Sequence, residues 1–197
     1  MAVTKKDIFP LLPKIVREQE YVRYVNRRIK TKVEEIKEEI LKEFNNHPVT
    51  VEIEGGVSSS NISGTLNGIT NLFSFIGFDS GEKPIDPIRR RIEQIAPKFR
   101  ISPTGIITYT IEFPTAKDIF EITPLPWAPG RSWAKGIETG ISGIGYYIKK
   151  VSNSRSGLGI QSKKPVRTGV RFQNTQYISS LINKYTKEIQ KLEKLTL

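Results

Sequence analysis

Cysteine is absent from this sequence of 197 residues, and histidine occurs once. Without cysteine the chain has no disulfide framework, no thiolate metal site and no thiol nucleophile. The single histidine, His47, cannot hold a metal ion by itself, and no Gly-x-Ser-x-Gly turn supports Ser/His/Asp catalysis. We therefore expect a protein that is not an enzyme and has no cofactor or metal, with His47 exposed or capping a helix. A hydrolase that uses paired carboxylates is a weaker alternative, because the acids cluster on one predicted helix like surface charge.

Long hydrophobic runs are also missing. No apolar segment approaches the roughly 18 residues that a membrane-spanning helix requires. Near the N-terminus, Pro10 and Pro13 interrupt the apolar residues, so we expect no signal peptide and no membrane partner. The glycines at positions 140, 143 and 145 have the wrong spacing for a dinucleotide-binding loop, and we interpret them as a tight bend.

Acidic residues are scarce in the basic stretch between Trp127 and Phe172, which contains nine Lys/Arg and one acid, Glu138. This stretch supplies most of the chain's net charge of +11, which is equally consistent with an anionic partner and with a merely solvated basic surface. Basic residues interleaved with aromatic ones suit phosphate contacts and base stacking, although no recognised nucleic-acid motif is present. The candidate contacts to DNA or to an acidic partner are Lys149, Lys150, Lys163, Lys164, Arg167 and Arg171.

The hydrophobic periodicity predicts an α+β fold in which a long N-terminal helix and a C-terminal helix pack on a small, mainly antiparallel β-sheet. The first helix is predicted from Ile15 to Phe44, where apolar residues recur every three or four positions, and the last helix begins at Thr175. Residues 1–14 form an N-terminal arm. Residues 15–197 form a single domain with two long, loop-rich segments at 55–83 and 125–172.

Shorter elements follow from local patterns. Residues 49–54 and 107–113 alternate between apolar and polar side chains, which predicts two strands. Residues 57–68 are polar and contain glycine, which predicts a flexible loop. Residues 72–78 are strongly apolar and are expected in the core or as an interface wedge, and residues 84–95 predict a short helix.

The charges of the first predicted helix are segregated. Its first half is basic and its second half acidic, which is the order that the helix macrodipole disfavours. A solvated face tolerates this order. A contact with a neighbouring subunit is the alternative explanation.

Several segments resemble small virion proteins of tailed bacteriophages, the group that completes a tail tube or joins it to the head. The segments that carry the resemblance are NNHPVTVEIEGG, NLFSFIGFDSGEKPIDPI, PLPWAPGRSWAKGIETGISG, SRSGLGIQSKK and FQNTQYISSLI. Together they make up more than a third of the chain. The order of a long helix, strands with large loops and a C-terminal helix is similar as well.

The resemblance implies a non-enzymatic structural subunit of a ring, with six copies, located in the tail or neck of the virion and in the host cytoplasm during assembly. It implies tail-tube and neck or connector proteins as partners, and non-specific contact with packaged DNA. The position along the particle, at the tail end or in the neck, stays open.

Tryptophan and arginine in a Pro/Gly-rich loop are typical of interface hot spots. The candidate interface residues are Trp127, Arg131, Trp133, Arg155 and Phe172. The alternative places the tryptophans in the core and leaves Arg155 in solvent, and a non-specific nucleic-acid-binding module is the alternative function.

Overall fold

The computed structural model describes residues 19–68, 70–102, 107–140, 147–148, 160–161 and 173–192. The predicted arm over residues 1–14 and the predicted helix start at Ile15 lie outside these ranges, as do most of residues 141–172. The described residues form an α+β fold, as expected, in which strands pair antiparallel and helices predominate.

Helix α1 runs from Gln19 to Asn46 and ends two residues beyond the predicted Phe44, at the Asn pair before Pro48. Its apolar stripe faces the protein interior, because side chains spaced three and four apart share one face of a helix. Val25, Val33, Ile40 and Phe44 are buried, and Ile29 and Ile36 pack against the core. With 28 residues the helix is about 42 Å long. In the described ranges the main core cluster includes side chains of α1 only from Ile29 onward, so the first turns extend past that cluster.

Residues 48–54 form a helix, α2 (Pro48–Glu54), and the predicted strand over 49–54 is wrong. His47 caps this helix: its Nδ1 accepts a hydrogen bond from the Val49 N–H at 3.2 Å, and Pro48 occupies the first turn. The structure buries Thr50 and Glu52, which an amphipathic strand would have exposed, and leaves Val51 at the surface. The alternation of apolar and polar residues therefore does not correspond to a buried and an exposed face.

The predicted flexible loop over 57–68 is instead ordered around the carboxylate of Glu52. This side chain is 0% exposed. It accepts hydrogen bonds from the Asn61 side-chain amide (2.9 and 3.1 Å), the Ser63 N–H (2.8 Å) and the Leu72 N–H (2.7 Å). Asn61 in turn accepts from the Leu66 N–H at 3.0 Å, and Leu66 is buried in the core. A short 3₁₀ turn, Gly56–Ser58, starts the segment.

Two short helices follow. Helix α3 (Leu72–Ile76) is capped by Asn71 and buries most of the apolar run, which places it in the core. Helix α4 (Asp86–Glu93) confirms the predicted helix, and its apolar side chains Ile88 and Ile92 are buried together with Ile95 just beyond its end.

The strands form three separate two-stranded antiparallel ribbons within the described residues, rather than one sheet. Strand β1 (Pro97–Ile101), which sequence reasoning missed, pairs with β2 (Ile107–Ile111), which it predicted. Strand β3 (Pro124–Leu125) pairs with β4 (Ala128–Ser132), and β5 (Tyr147–Ile148) pairs with β6 (Ile160–Gln161).

The remaining helices close the core. Helix α5 (Ala116–Glu121) begins with a reciprocal capping box between Thr115 and Asp118, and helix α6 (Trp133–Thr139) is capped by Ser132. Helix α7 (Ile178–Leu192) starts three residues later than predicted and packs against α1. One continuous cluster of buried apolar residues joins α1 to α7 through the helices between them.

Candidate functional site

The two tryptophans predicted as interface anchors lie in the core. Trp133 is 1% exposed and packs edge-on against Phe78, with Tyr177 on another side. Trp127 is 5% exposed, and its Nε1 donates a hydrogen bond to the main-chain carbonyl of Ile76 at 2.6 Å. Neither ring has a free face for a partner, so the structure favours the alternative in which the tryptophans close the core beneath the loop.

Arg131 is exposed, and its guanidinium lies 6.0 Å from the centre of the Trp127 ring, within the range of a cation–π contact. It stands on β4 at the edge of a cleft of about 640 Å³. Arg131 is therefore the one predicted interface residue that the structure describes at the surface. Arg155 and Phe172 lie outside the described residues. The same holds for the predicted anionic-partner contacts Lys149, Lys150, Lys163, Lys164, Arg167 and Arg171.

The cleft beside Arg131 is cationic. Helix α5 contributes Lys117 and Glu121, and helix α6 contributes Lys135. Among the described lining residues Glu121 is the only acid, and Lys117 lies 3.8 Å from it. Phe120, Pro124 and Gly136 provide apolar wall. The excess of cations makes the cleft suited to an acidic side chain or a phosphate group.

Within the described residues, α1 carries a segregated charge pattern. Its basic half, residues 19–32, contains five Lys/Arg and one acid. Its acidic half, residues 33–46, contains five acids and two lysines. Most of these charged side chains are exposed. The segregation that the sequence predicted is therefore a surface feature of the folded chain.

Some of these charges are paired locally and others are not. Within one turn, Lys32 binds Glu35 at 2.5 Å and Lys37 binds Glu34 at 2.6 Å. Near the end of α1, Glu43 accepts hydrogen bonds from Lys184 and from the Tyr185 hydroxyl. The bond from Lys184 is the main cause that holds the pKa of Glu43 below its usual value. In the part of the chain that the structure describes, Arg27, Lys30, Glu38 and Glu39 make no ion pair.

The β1–β2 ribbon lies next to the basic half. Strand β1 packs against α1, and burial, followed by the charge of Tyr21 in the basic half, raises the pKa of Tyr109 on β2. Phe99 faces Tyr109 across the ribbon at a ring distance of 5.6 Å, yet Phe99 and Ile101 each remain 39% exposed. Sequence reasoning missed this surface because it did not predict β1. The run of Phe99 and Ile101 flanking Arg100 was the available signal.

His47 lies between α1 and α2 and packs against Tyr177. Its ring centre is 4.8 Å from that of Tyr177, and burial is the main cause that lowers its pKa, opposed by a hydrogen bond with the Gln176 backbone and by the charge of Glu43. The hydrogen bond from the Val49 N–H to its Nδ1 confirms His47 as a capping residue.

Among the described residues no group of three His, Asp or Glu side chains is arranged to hold a metal ion. No helix in those ranges is long and apolar enough to cross a membrane.

No protein-family model, curated protein or solved structure matches this chain.

Proposed function

We propose that this protein is a structural subunit of a tailed-bacteriophage particle, and that it assembles as an oligomeric ring which completes the tail or joins the tail to the head–neck connector. The resemblance of five sequence segments to small virion proteins supports the kind of particle. The observation that supports assembly is the segregated charge on the exposed face of α1, where some of the charged side chains make no ion pair with other described residues. The position in the tail or neck of the virion, and the host cytoplasm as the site of assembly, belong to the same proposal.

Ring assembly requires two different surface patches on each subunit, because a head-to-tail contact joins one patch to the other. The basic and acidic halves of α1 are two such patches. The cationic cleft around Arg131 and Lys135 adds a third surface, suited to an acidic face of a tail-tube or connector protein.

The test is the mass of the purified chain in solution, measured by light scattering over a range of concentrations, first alone and then with tail-tube protein. A single protomer has a mass of 22.3 kDa. We expect a closed species of defined size above a dimer, six copies by the resemblance, either alone or on addition of the tube protein. A monomer under all of these conditions would refute the proposal.

A non-specific nucleic-acid-binding module is the second candidate, favoured by the net charge of +11 and by the cations that line the cleft. Its signature is an affinity for random-sequence duplex DNA that falls steeply as salt is added, so that the logarithm of the binding constant decreases linearly with the logarithm of the salt concentration. Arg131→Ala and Lys135→Ala would each lower the steepness of that plot by about one unit, because each removes one cation that neutralises a phosphate. Binding that these substitutions leave unchanged excludes the cleft as the DNA site.

A further inference from the structure

We infer that neighbouring copies meet through α1: the basic half of one copy, together with the β1–β2 ribbon beside it, docks on the acidic half of α1 in the next copy. This inference rests on the proposed function only in that it takes the chain to self-associate. The choice of surfaces follows from the subunit itself.

The charges lie in line on the face of α1 opposite the core. Helical spacing places Arg23, Arg27, Glu34 and Glu38 along one stripe, because residues three, four and seven apart share a face. Arg27 and Glu38 are eleven positions apart, which is about 16 Å along the axis. That distance exceeds the screening length of about 8 Å at physiological salt, so Arg27 and Glu38 do not neutralise each other within one copy, whereas Lys32 and Glu35 pair at the boundary between the halves.

Free charges stand in both halves. Arg27 and Lys30 in the basic half, and Glu38 and Glu39 in the acidic half, are exposed and make no ion pair within the described ranges. The other half of α1 in a second copy offers the opposite charges. Complementary potentials of this kind select the partner and the register of an interface.

The ribbon supplies the apolar part of such a contact. Phe99 and Ile101 are exposed on a strand that packs against α1, and Arg100 between them is exposed as well. Protein interfaces combine an apolar centre with a charged rim, which charge pairs alone do not provide. The basic half and the ribbon therefore form one composite patch, and the acidic half of the next copy is its complement.

Two arrangements use this pairing. Copies that run in the same direction with an offset of about 16 Å leave one basic and one acidic half unmatched at the ends, so the contact repeats; it closes into a ring if the rotation between successive copies returns to the first copy, and otherwise it gives an open filament. Copies that run in opposite directions satisfy both halves at once and stop at a dimer. The proposed ring requires the first arrangement, and the measured mass distinguishes the two.

The test uses two charge-reversed variants of the full chain, Arg27→Glu with Lys30→Glu, and Glu38→Lys with Glu39→Lys. Alone, each variant sets like charges against each other, and we expect its self-association to weaken by about 100-fold. Mixed in equal amounts, they restore opposite charges at every contact, so the assembly should return. A matched control, Arg90→Glu with Glu93→Lys, reverses two exposed charges on α4 and should assemble like the wild type.

Circular dichroism confirms that each variant is folded before its mass is measured. Loss of assembly in both variants and its return in the mixture supports the inference. A wild-type ring that persists in both variants overturns the inference and leaves the proposed function standing. A wild-type dimer that both variants disrupt keeps the interface and overturns the ring. A wild-type monomer, with or without tail-tube protein, overturns both.

Discussion

Glu52 gives the most direct test of how this fold is held together. Its carboxylate is 0% exposed, and in the described part of the chain it has no cation beside it. Three N–H groups, from the Asn61 side chain and from the Ser63 and Leu72 backbones, stabilise it instead. These donors tie α2 to the loop over residues 57–68 and to the start of α3.

The substitution Glu52→Gln preserves the shape of the side chain and replaces one oxygen by an NH₂ group. If that group takes the place of Oε1, it faces the Leu72 N–H, and in the place of Oε2 it faces the Ser63 N–H. In the first orientation the buried Leu72 N–H, and in the second the partly buried Ser63 N–H, loses its acceptor and meets another donor. A hydrogen bond to a charged group contributes about 1.5–3 kcal/mol, and a buried unpaired donor costs about 1–3 kcal/mol. Removal of the buried charge offsets part of this, so we expect a loss of about 2–4 kcal/mol in the free energy of unfolding.

The assay is urea unfolding followed by circular dichroism, with thermal unfolding beside it. For a chain of this size the loss corresponds to a melting temperature lower by about 4–16 °C. Glu39→Gln is the matched control, because Glu39 is exposed and makes no ion pair with any described residue, and its effect should stay within about 0.5 kcal/mol. Limited proteolysis should cut residues 57–68 faster in Glu52→Gln. If Glu52→Gln unfolds like the control, the hydrogen bonds to Glu52 do not hold this loop.

Three further predictions concern buried aromatic side chains. Tyr177→Phe removes the 2.8 Å hydrogen bond between the Tyr177 hydroxyl and Thr50 and leaves a buried hydroxyl unpaired, so urea unfolding should show a loss of about 1–2 kcal/mol; no change would mean that Thr50 finds another partner. Burial, reinforced by the hydrogen bond to Glu43, raises the pKa of Tyr185 to about 12 from an ordinary value of 10.0. The stability from this shift is present below the unfolded pKa and is lost as the pH rises towards the folded pKa. The free energy of unfolding should therefore fall more between pH 9 and pH 11 in the wild type than in Tyr185→Phe. An equal fall in both proteins would contradict this prediction. Trp127→Phe loses the indole hydrogen bond and leaves a small cavity, which should lower the free energy of unfolding by about 2–3 kcal/mol; an interface-only role predicts an unchanged monomer.

Helices whose buried face is set by the spacing of apolar residues along the chain could be predicted from the sequence. The stripe of α1 and the Ile88 and Ile92 pair of α4 lie in the core because three- and four-residue spacing fixes a face whatever packs on it. The capping residues also act locally. Thr115 and Asp118 satisfy each other's backbone donors without help from distant residues.

Features that depend on distant partners could not be predicted. Thr50 and Glu52 are buried polar residues, and their hydrogen-bond partners Tyr177 and Leu72 are 127 and 20 positions away. A pattern rule assigns polar residues to the surface, so residues 48–54 looked like an amphipathic strand and residues 57–68 like a flexible loop. No property of the local sequence shows that a carboxylate will be enclosed by backbone donors.

The candidate site divides in the same way. The charge segregation of α1 could be predicted, because charged side chains on a helix stay exposed and their order is fixed by the sequence. The role of the tryptophans could not. Tryptophan beside arginine in a Pro/Gly-rich loop is equally typical of an interface hot spot and of a core that a loop covers, and only the contacts of Trp133 with Phe78 and Tyr177 distinguish the two.

The order of charges on α1 makes the isolated helix slightly less stable than it could be, and this loss bears on the role of the charges in assembly. A helix optimised alone would alternate signs four residues apart, since opposite charges at that spacing gain about 0.2–0.5 kcal/mol and like charges lose a similar amount. Here Arg23 precedes Arg27, and Glu34 precedes Glu38, so like charges face each other along the stripe. The macrodipole adds little, because its effect fades beyond the first and last turns. The isolated subunit therefore forgoes several small stabilising pairs. An interface that brings the two halves of different copies together recovers them, which is why the mixture of charge-reversed variants, and not either variant alone, is the decisive sample.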